Sequence, residues 1–239
     1  MKILGLDSSG LVASVAIVED GNMIAEYTIN YKKTHSQTLL PMLDQIAEMT
    51  ELDLNTIDAI AIAGGPGSFT GLRIGSSTAK GLGLALNKPL IQIPTVDGLA
   101  YNLYGCRDMI CPLMDARRNQ AYTGLYEFLE NKFYTIKEQY AAGIDEIISE
   151  INKMQRAVVF LGDGVSVFSD YISQHCYVPY TYAPAHVNKQ RGAAVAALAQ
   201  IYYREGKTQT AGEHKPNYLR LSQAERERME KITQTGGSH

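Results

Sequence analysis

The stretch from Ile57 to Leu86 constrains the fold most. Ile57-Asp58-Ala59-Ile60-Ala61-Ile62-Ala63 reads as a buried strand. It runs into Gly64-Gly65-Pro66-Gly67-Ser68-Phe69-Thr70-Gly71-Leu72-Arg73-Ile74-Gly75 and then into a helical stretch. A strand, a glycine-proline turn and a helix N-terminus in that order belong to an α/β architecture. Such a junction also offers free amides and positive dipole to an anion. The helix behind it carries small residues every fourth position, at Gly71, Gly75, Ala79 and Gly83. A glycine inside a helix costs about 1 kcal/mol relative to alanine, so a ridge of them implies that another backbone lies very close.

The rest of the chain alternates in the same manner. Strands are expected at 2–6, 12–18 and 23–30, the last two joined by an Asp20-Gly21 hairpin signal. A helix over 38–50, the 57–63 strand, a helix over 70–86, a strand over 90–93 and a helix from Pro94 follow. The second half repeats this order. Strands are expected at 109–115, 121–127 and 133–140, then a helix at 144–152, a strand at 157–161, a helix at 165–174, a short strand near Tyr180 and a long helix at 191–204. Three strands, helix, strand, helix, given twice, predicts two similar α/β lobes joined near residues 104–109. The tail holds Ser222-x-x-Glu225, a capping-box pattern for a short helix.

With 239 residues, 45% of them apolar and 20% charged, there is ample material for a large core. A net charge of −3 gives no electrostatic footprint for unaided nucleic-acid binding. Cys106, Cys111 and Cys176 make no even framework and no C-x-x-C pair. The chain opens straight into a strand, with no basic-then-apolar leader pattern. No apolar run reaches the roughly 18 residues of a membrane span. A reduced, cytoplasmic setting follows as the expectation.

Chemistry is harder to find. The 64–71 segment is not a Walker loop, since no Lys-Ser/Thr follows, and it is not G-x-G-x-x-G, so a tight turn supporting helix-on-sheet packing fits it at least as well as a phosphate cradle. Asp7-Ser8-Ser9 and Gly162-Asp163-Gly164 could wrap phosphates, although spacing favours a hairpin turn for the first. Five histidines, His35, His175, His186, His214 and His239, include no His-x-x-x-His pair. Asp97, Asp115 and Asp163 follow strand ends, where active sites gather in α/β folds and where helix capping also places aspartates. Residue types and spacing alone stop at a two-lobed α/β protein.

The residues also carry a resemblance. Ile3-Leu4-Gly5-Leu6-Asp7-Ser8-Ser9, His35-Ser36-Gln37-x-Leu39-Leu40-Pro41, the 64–75 block, Asp115-Ala116-Arg117-Arg118-Asn119-x-x-Tyr122 and Pro216-x-Tyr218-Leu219-Arg220 resemble the bacterial TsaB (YeaZ-like) family. The resemblance covers residues 2 to about 220. It implies an actin/Hsp70-like (ASKHA) fold of two ribonuclease-H-like lobes, each a mixed sheet with flanking helices. The N-terminal lobe would span 1–105, the smaller C-terminal lobe 106–222 and a charged tail 223–239. It further implies work in forming threonylcarbamoyladenosine beside the anticodon of tRNAs reading A-starting codons. There the family is the non-catalytic partner and activator of a paralogous transferase, TsaD, together with the P-loop ATPase TsaE.

TsaD-like chains carry Asn-His-Leu-Glu-Gly-His after the fifth strand, whose two histidines bind a metal. The matching segment here is Pro94-Thr95-Val96-Asp97-Gly98-Leu99, so Thr95 and Leu99 stand at the ligand positions. The paralogue's late Asp-Asn-Ala-Ala pattern is matched by Arg191-Gly192-Ala193-Ala194. No metal, no catalytic residues and no resident cofactor are therefore expected, with ATP or ADP only at the interface of the complex. Asp7, Ser8, Ser9, Gly162 and Gly164 would be a vestigial nucleotide site. The partner surface is expected on two helices, through Leu39, Met42, Leu43, Ile46 and Met49 on the first and Gly71, Leu72, Gly75, Ala79 and Gly83 on the second; the competing reading of the first helix's wide apolar band is a helix sandwiched within its own monomer. The same surface would form a homodimer when the paralogue is absent. On this reading, leucine at position 75 or 79 should block pairing and leave the monomer folded. The tRNA would be reached only through the complex, and no membrane is involved. The competing reading is an active ATP-dependent kinase or ATPase of the same superfold, and a third is a metallopeptidase.

Overall fold

The computed structural model describes residues 1–32 and 34–219. The tail helix expected from Ser222 and Glu225, Arg220 and the 223–239 segment lie outside the described residues. The first sheet contains β1 (Lys2–Asp7), β2 (Val12–Glu19), β3 (Asn22–Asn30), β4 (Ala59–Ala63) and β5 (Leu90–Ile93), in the order β3-β2-β1-β4-β5. The second contains β6 (Met109–Asp115), β7 (Gln120–Leu129), β8 (Lys132–Gly143), β9 (Val158–Leu161) and β10 (Tyr180–Tyr182), in the order β8-β7-β6-β9-β10. In each sheet the first three strands form an antiparallel meander and the next two join in parallel. The two lobes are thus one topology used twice, as the duplicated order of elements in the sequence predicts.

Side chains of β1 and β4 alternate between two apolar layers, as the period-two geometry of a strand demands. Leu4, Leu6, Ile60 and Ile62 face α1 (Leu39–Met49) and α2 (Phe69–Leu86). Ile3, Ala59, Ala61 and Ala63 face α6 (Gly192–Arg204). This arrangement changes the expected lobe boundary, because α6 was assigned to the second lobe within 106–222. Its contacts are instead with β1, β2, β4 and β5 of the first sheet. The physical reason is small against small. Gly192, Ala196 and Ala199 meet a sheet face made of Gly5, Ala59, Ala61 and Ala63, so helix and sheet backbones approach closely. At β1, a methyl group on Gly5 would run into the Gly192 carbonyl and the Ala196 side chain.

In the second lobe α4 (Ile144–Met154) and α5 (Val165–His175) cover one sheet face, with Ile144, Ile147, Ile148, Ile151, Phe168 and Ile172 buried. The other face packs on α3 (Thr95–Tyr101), where Val96, Leu99 and Ala100 meet Ile110, Met114, Tyr126 and Leu161. Helices α3 and α6 touch each other, so the two lobes share a continuous apolar seam. No helix among the described residues is long and apolar enough to cross a membrane.

Replacing Gly5 with alanine forces α6 off the first sheet. The expected loss is about 2–3 kcal/mol of stability, read as a lower urea midpoint at unchanged m-value.

Candidate functional site

The loop after β1 begins with a buried carboxylate. Asp7 Oδ1 accepts hydrogen bonds from the Ser9 amide at 2.9 Å and the Ser9 hydroxyl at 2.6 Å. Burial pushes the Asp7 carboxyl up to about 6, with the Ser9 bonds and nearby His35 opposing the rise. Ser8 and Ser9 are also buried. The Ser8 hydroxyl donates to the Gly71 carbonyl at 2.9 Å, and the Ser68 amide donates to the Ser9 carbonyl at 2.6 Å. His35 Nε2 donates to the Gly10 carbonyl at 2.9 Å. The loop is therefore pressed against the start of α2 by main-chain contacts.

That pressure accounts for the small-residue ridge. A methyl group on Gly67 would strike the Ser9 carbonyl, one on Gly71 the Ser8 carbonyl and one on Gly75 the Ser8 hydroxyl. Farther along α2, Ala79 is fully buried, and a methyl group on Gly83 would meet Leu90 at 3.0 Å. The close-lying backbone is this chain's own. Gly71, Gly75, Ala79 and Gly83 cannot be the partner-facing ridge, and leucine at 75 would disrupt the monomer itself. Nor is the junction an anion cradle. The Ser68 side chain accepts from the Gly71 amide at 3.3 Å, and a carbonyl oxygen already sits where an anion would approach.

A similar correction applies to α1. Leu39, Met42, Leu43 and Ile46 are buried against the first sheet, as is Leu72 of α2. Of the ten residues expected at the interface only Met49 is exposed, at 79%. The solvent side of the pair carries other residues. Leu40 of α1 is 52% exposed and Leu84 of α2 is 73% exposed, while Arg73, Ser77 and Gly81 also face outward. A methyl group on Gly81 would meet nothing within 4 Å. Between the two helices runs a groove of about 320 Å³, lined by His35, Ser36, Leu40, Arg73, Ile74 and Ser77 among others. The Arg73 guanidinium lies 4.0 Å from the Phe69 ring centroid. Small residues occur on both sides of α2, so spacing alone could not tell the inward stripe from the outward one. The alternation of Leu4, Leu6, Ile60 and Ile62 on the sheet decides it, and that requires the fold.

The positions of the paralogue's metal ligands are occupied structurally. Thr95 is fully buried, and its hydroxyl accepts from the Gly65 amide at 3.0 Å. Leu99 lies in the apolar seam between the lobes. Arg191 pairs with Glu26 of β3, whose other carboxylate oxygen accepts from the Ala193 amide at 3.0 Å at the start of α6. Among the described residues no three His, Cys, Asp or Glu side chains gather as a metal site would require. A hydroxyl already bonded, a leucine and a paired arginine do not fit a metal.

Gly162 and Gly164 serve packing. A methyl group on Gly162 would collide with the Leu113 carbonyl, and the Gly164 amide donates to that same oxygen at 2.9 Å. Between them, Asp163 Oδ1 accepts from the Asp115 amide at 3.3 Å, and burial raises the Asp163 carboxyl above its ordinary range. Asp97 is buried, accepts from the Tyr126 hydroxyl at 2.7 Å and is pushed up to about 6 by burial. Asp7, Ser8 and Ser9 are thus held by burial against the start of α2, and Gly162 and Gly164 by packing on the Leu113 carbonyl.

The Pro216-x-Tyr218 segment has a place that sequence reading missed. The Asn217 amide donates to the Gly64 carbonyl at 2.7 Å, and the Tyr218 ring packs tilted against Phe69, with centroids 4.6 Å apart and planes at 33°. Upstream, Lys80 donates to the His214 carbonyl at 3.2 Å. The chain's late segment thus straps the glycine-proline turn.

Comparison with known proteins follows from this geometry. The sequence model of the TsaD family, tRNA N6-adenosine threonylcarbamoyltransferase, matches residues 22–228. The tRNA threonylcarbamoyladenosine biosynthesis protein TsaB of Bacillus subtilis is 29% identical over 227 residues, covering 94% of this chain and 96% of that protein. The Escherichia coli TsaB is 29% identical over 223 residues, covering 92% and 95%. A tRNA N6-adenosine threonylcarbamoyltransferase of Protochlamydia amoebophila is 36% identical over 117 residues, but these are 42% of this chain and 34% of the transferase. In structure, YeaZ from Pseudomonas aeruginosa superposes with a TM-score of 0.76 at 23% identity, covering 91% of this chain and 99% of that one.

Two substitutions test the inward ridge. Gly75→Leu should cost about 3 kcal/mol or more in the isolated chain, whereas Gly81→Ala should gain about 0.5–1 kcal/mol, both measured by urea unfolding. Asp7→Asn tests the buried carboxylate. Its folded value of about 6 lies above the ordinary 3.8, so the native state holds the proton more tightly. The stability this carboxyl contributes is full below about pH 4 and is lost as pH rises through 6. The asparagine variant should therefore exceed wild type by roughly 2–3 kcal/mol above pH 7 and converge with it near pH 4.

Proposed function

The chain belongs to the tRNA N6-adenosine threonylcarbamoyltransferase (TsaD) family, and on that premise we propose that it is the family's non-catalytic, TsaB-type member. In this role it partners and activates a TsaD transferase in forming threonylcarbamoyladenosine beside the anticodon of tRNAs reading A-starting codons. The observation that carries the reading is the fate of the metal positions. The Thr95 hydroxyl is taken by the Gly65 amide and Leu99 is core, so these two positions supply no donors to hold a Lewis acid against a threonylcarbamoyl donor. The sealed Asp7–Ser9 loop argues in the same direction, against an ATP-hydrolysing enzyme. Likeness along nearly the whole length to chains named TsaB supports it further, since the transferases of Protochlamydia amoebophila and Fervidobacterium nodosum align over 42% and 63% of this chain and over less than half of their own length.

The partner surface in this reading is the outer side of α1 and α2, not the residues buried beneath it. Leu40, Ile74 and Leu84 supply apolar contact, and Ser77 and Gly81 let a facing helix approach. The transferase would seat against this groove, and a second copy of the chain would take its place when the transferase is absent. The P-loop ATPase TsaE joins the assembled pair, any ATP or ADP lies at the interface of the complex, and the work takes place in the cytoplasm.

Reconstituted threonylcarbamoyl transfer, with the transferase and ATPase present, should fall to background when this chain is omitted and show no activity from the chain alone. Undiminished transfer in its absence would overturn the reading. In the same assay Leu40→Asp should lower co-purification with the transferase at least about tenfold, because it places a charge in an apolar contact, while the melting temperature of the chain stays unchanged.

A further inference from the structure

The lobe duplication sets two equivalent hairpins side by side for comparison. In the first lobe the β1–β2 connection is buried through Asp7, Ser8 and Ser9. Its counterpart, the β6–β7 connection, is open. Arg117 has a side chain 87% exposed, and Arg118 and Asn119 are also exposed. All three residues are left-handed, at φ of 64°, 55° and 58°. Glycine adopts that conformation without steric penalty, while arginine does not. Two arginines are thus held at a hairpin tip where the backbone favours smaller residues.

The tip is also rich in unspent donors. The Arg117 amide is taken by Asp115 Oδ1 at 2.8 Å, and its guanidinium reaches Asp115 Oδ2 at 3.3 Å. That single contact steadies the side chain, and the rest of the guanidinium stays exposed. Arg118 forms no ion pair among the described residues, and the amides of Arg118 and Asn119 meet no acceptor there. Consecutive free amides in a turn make a concavity for an anion, and guanidinium groups add charge and paired donors.

We propose that the Arg117–Arg118–Asn119 hairpin is a contact for the phosphate backbone of tRNA in the assembled complex. This rests on the preceding reading, which supplies the RNA. A free nucleotide needs walls for its base and ribose, whereas a tip this exposed offers none. A polyanion brings its own extended surface and needs only donors presented to successive phosphates. The contact carries no sequence preference. It also reconciles a chain of net charge −3 with work on tRNA, because two local guanidiniums assist a complex whose main grip lies elsewhere.

The test uses the complex of this chain with its transferase. The double variant Arg117→Gly, Arg118→Gly suits the left-handed backbone, so the melting temperature of the chain should be equal or higher. Affinity for tRNA, followed by fluorescence anisotropy across a salt series, should fall roughly tenfold, and the slope of log affinity against log salt should lessen by about 2. Arg118→Gln alone keeps the Asp115 pairing and should lessen the slope by about 1. Unchanged affinity and slope in both variants would overturn the proposal, as would loss of transferase co-purification in place of RNA affinity, which would mark a protein contact. If transfer proceeds equally without the chain, the preceding reading fails first. A complex that needs the chain yet binds tRNA equally well through either variant refutes the hairpin alone.

Discussion

Strand β1 is approached by backbone from two directions, and the rest of the first lobe is arranged around that fact. On one face the Gly192 carbonyl of α6 lies against Gly5. Beyond its end, Ser8 and Ser9 lie against the backbone of Gly67, Gly71 and Gly75. Side chains of any size at these points would separate the layers, so the glycines follow from distance rather than from ligand binding. The same close approach fixes the direction of α2. Its start is tied to the β1–β2 loop, and its first turn inherits the geometry of residues 64–68.

That turn is where distant parts of the chain meet. The Gly65 carbonyl accepts from the Thr95 amide at 2.9 Å and from Gln139 of the second lobe at 3.1 Å, while the Gly64 carbonyl accepts from Asn217 at 2.7 Å. A polar turn carried into the interior requires each of its groups to be satisfied. Here the partners come from α3, β8 and the late strap. What resembles a phosphate loop in sequence is a structural junction, and the Thr95 hydroxyl is one of its hydrogen-bonding posts.

The sequence made the repeated order of elements readable because apolar period and turn chemistry agree locally. Gly64-Gly65-Pro66-Gly67 ends a strand and Ser68 caps a helix whatever lies around them. It did not reveal which side of α2 faces home, since Gly71, Gly75 and Gly83 and the outward Ser77 and Gly81 look alike without the sheet. Nor did it place α6. A helix of Gly192, Ala193, Ala194, Ala196 and Ala199 says that it packs closely, but not on which of two similar sheets. The match lies 130 residues away in Ala59, Ala61 and Ala63, and such long-range complementarity leaves no local trace. The inward-facing Leu39, Met42, Leu43 and Ile46 were misread for a related reason. A wide apolar band on one helix does not state whether its cover is the chain itself or another.

The position of α6 has a consequence for how the protein comes into being. Residues 59–63 leave the ribosome long before residues 192–204, so the alanine face of the first sheet emerges with nothing to cover it. The N-terminal lobe cannot close as an independent unit during synthesis, and the second lobe, whose α4 and α5 follow their own strands directly, can be finished earlier. A nascent protein halted before α6 would present a small-residue sheet surface to solvent and to chaperones.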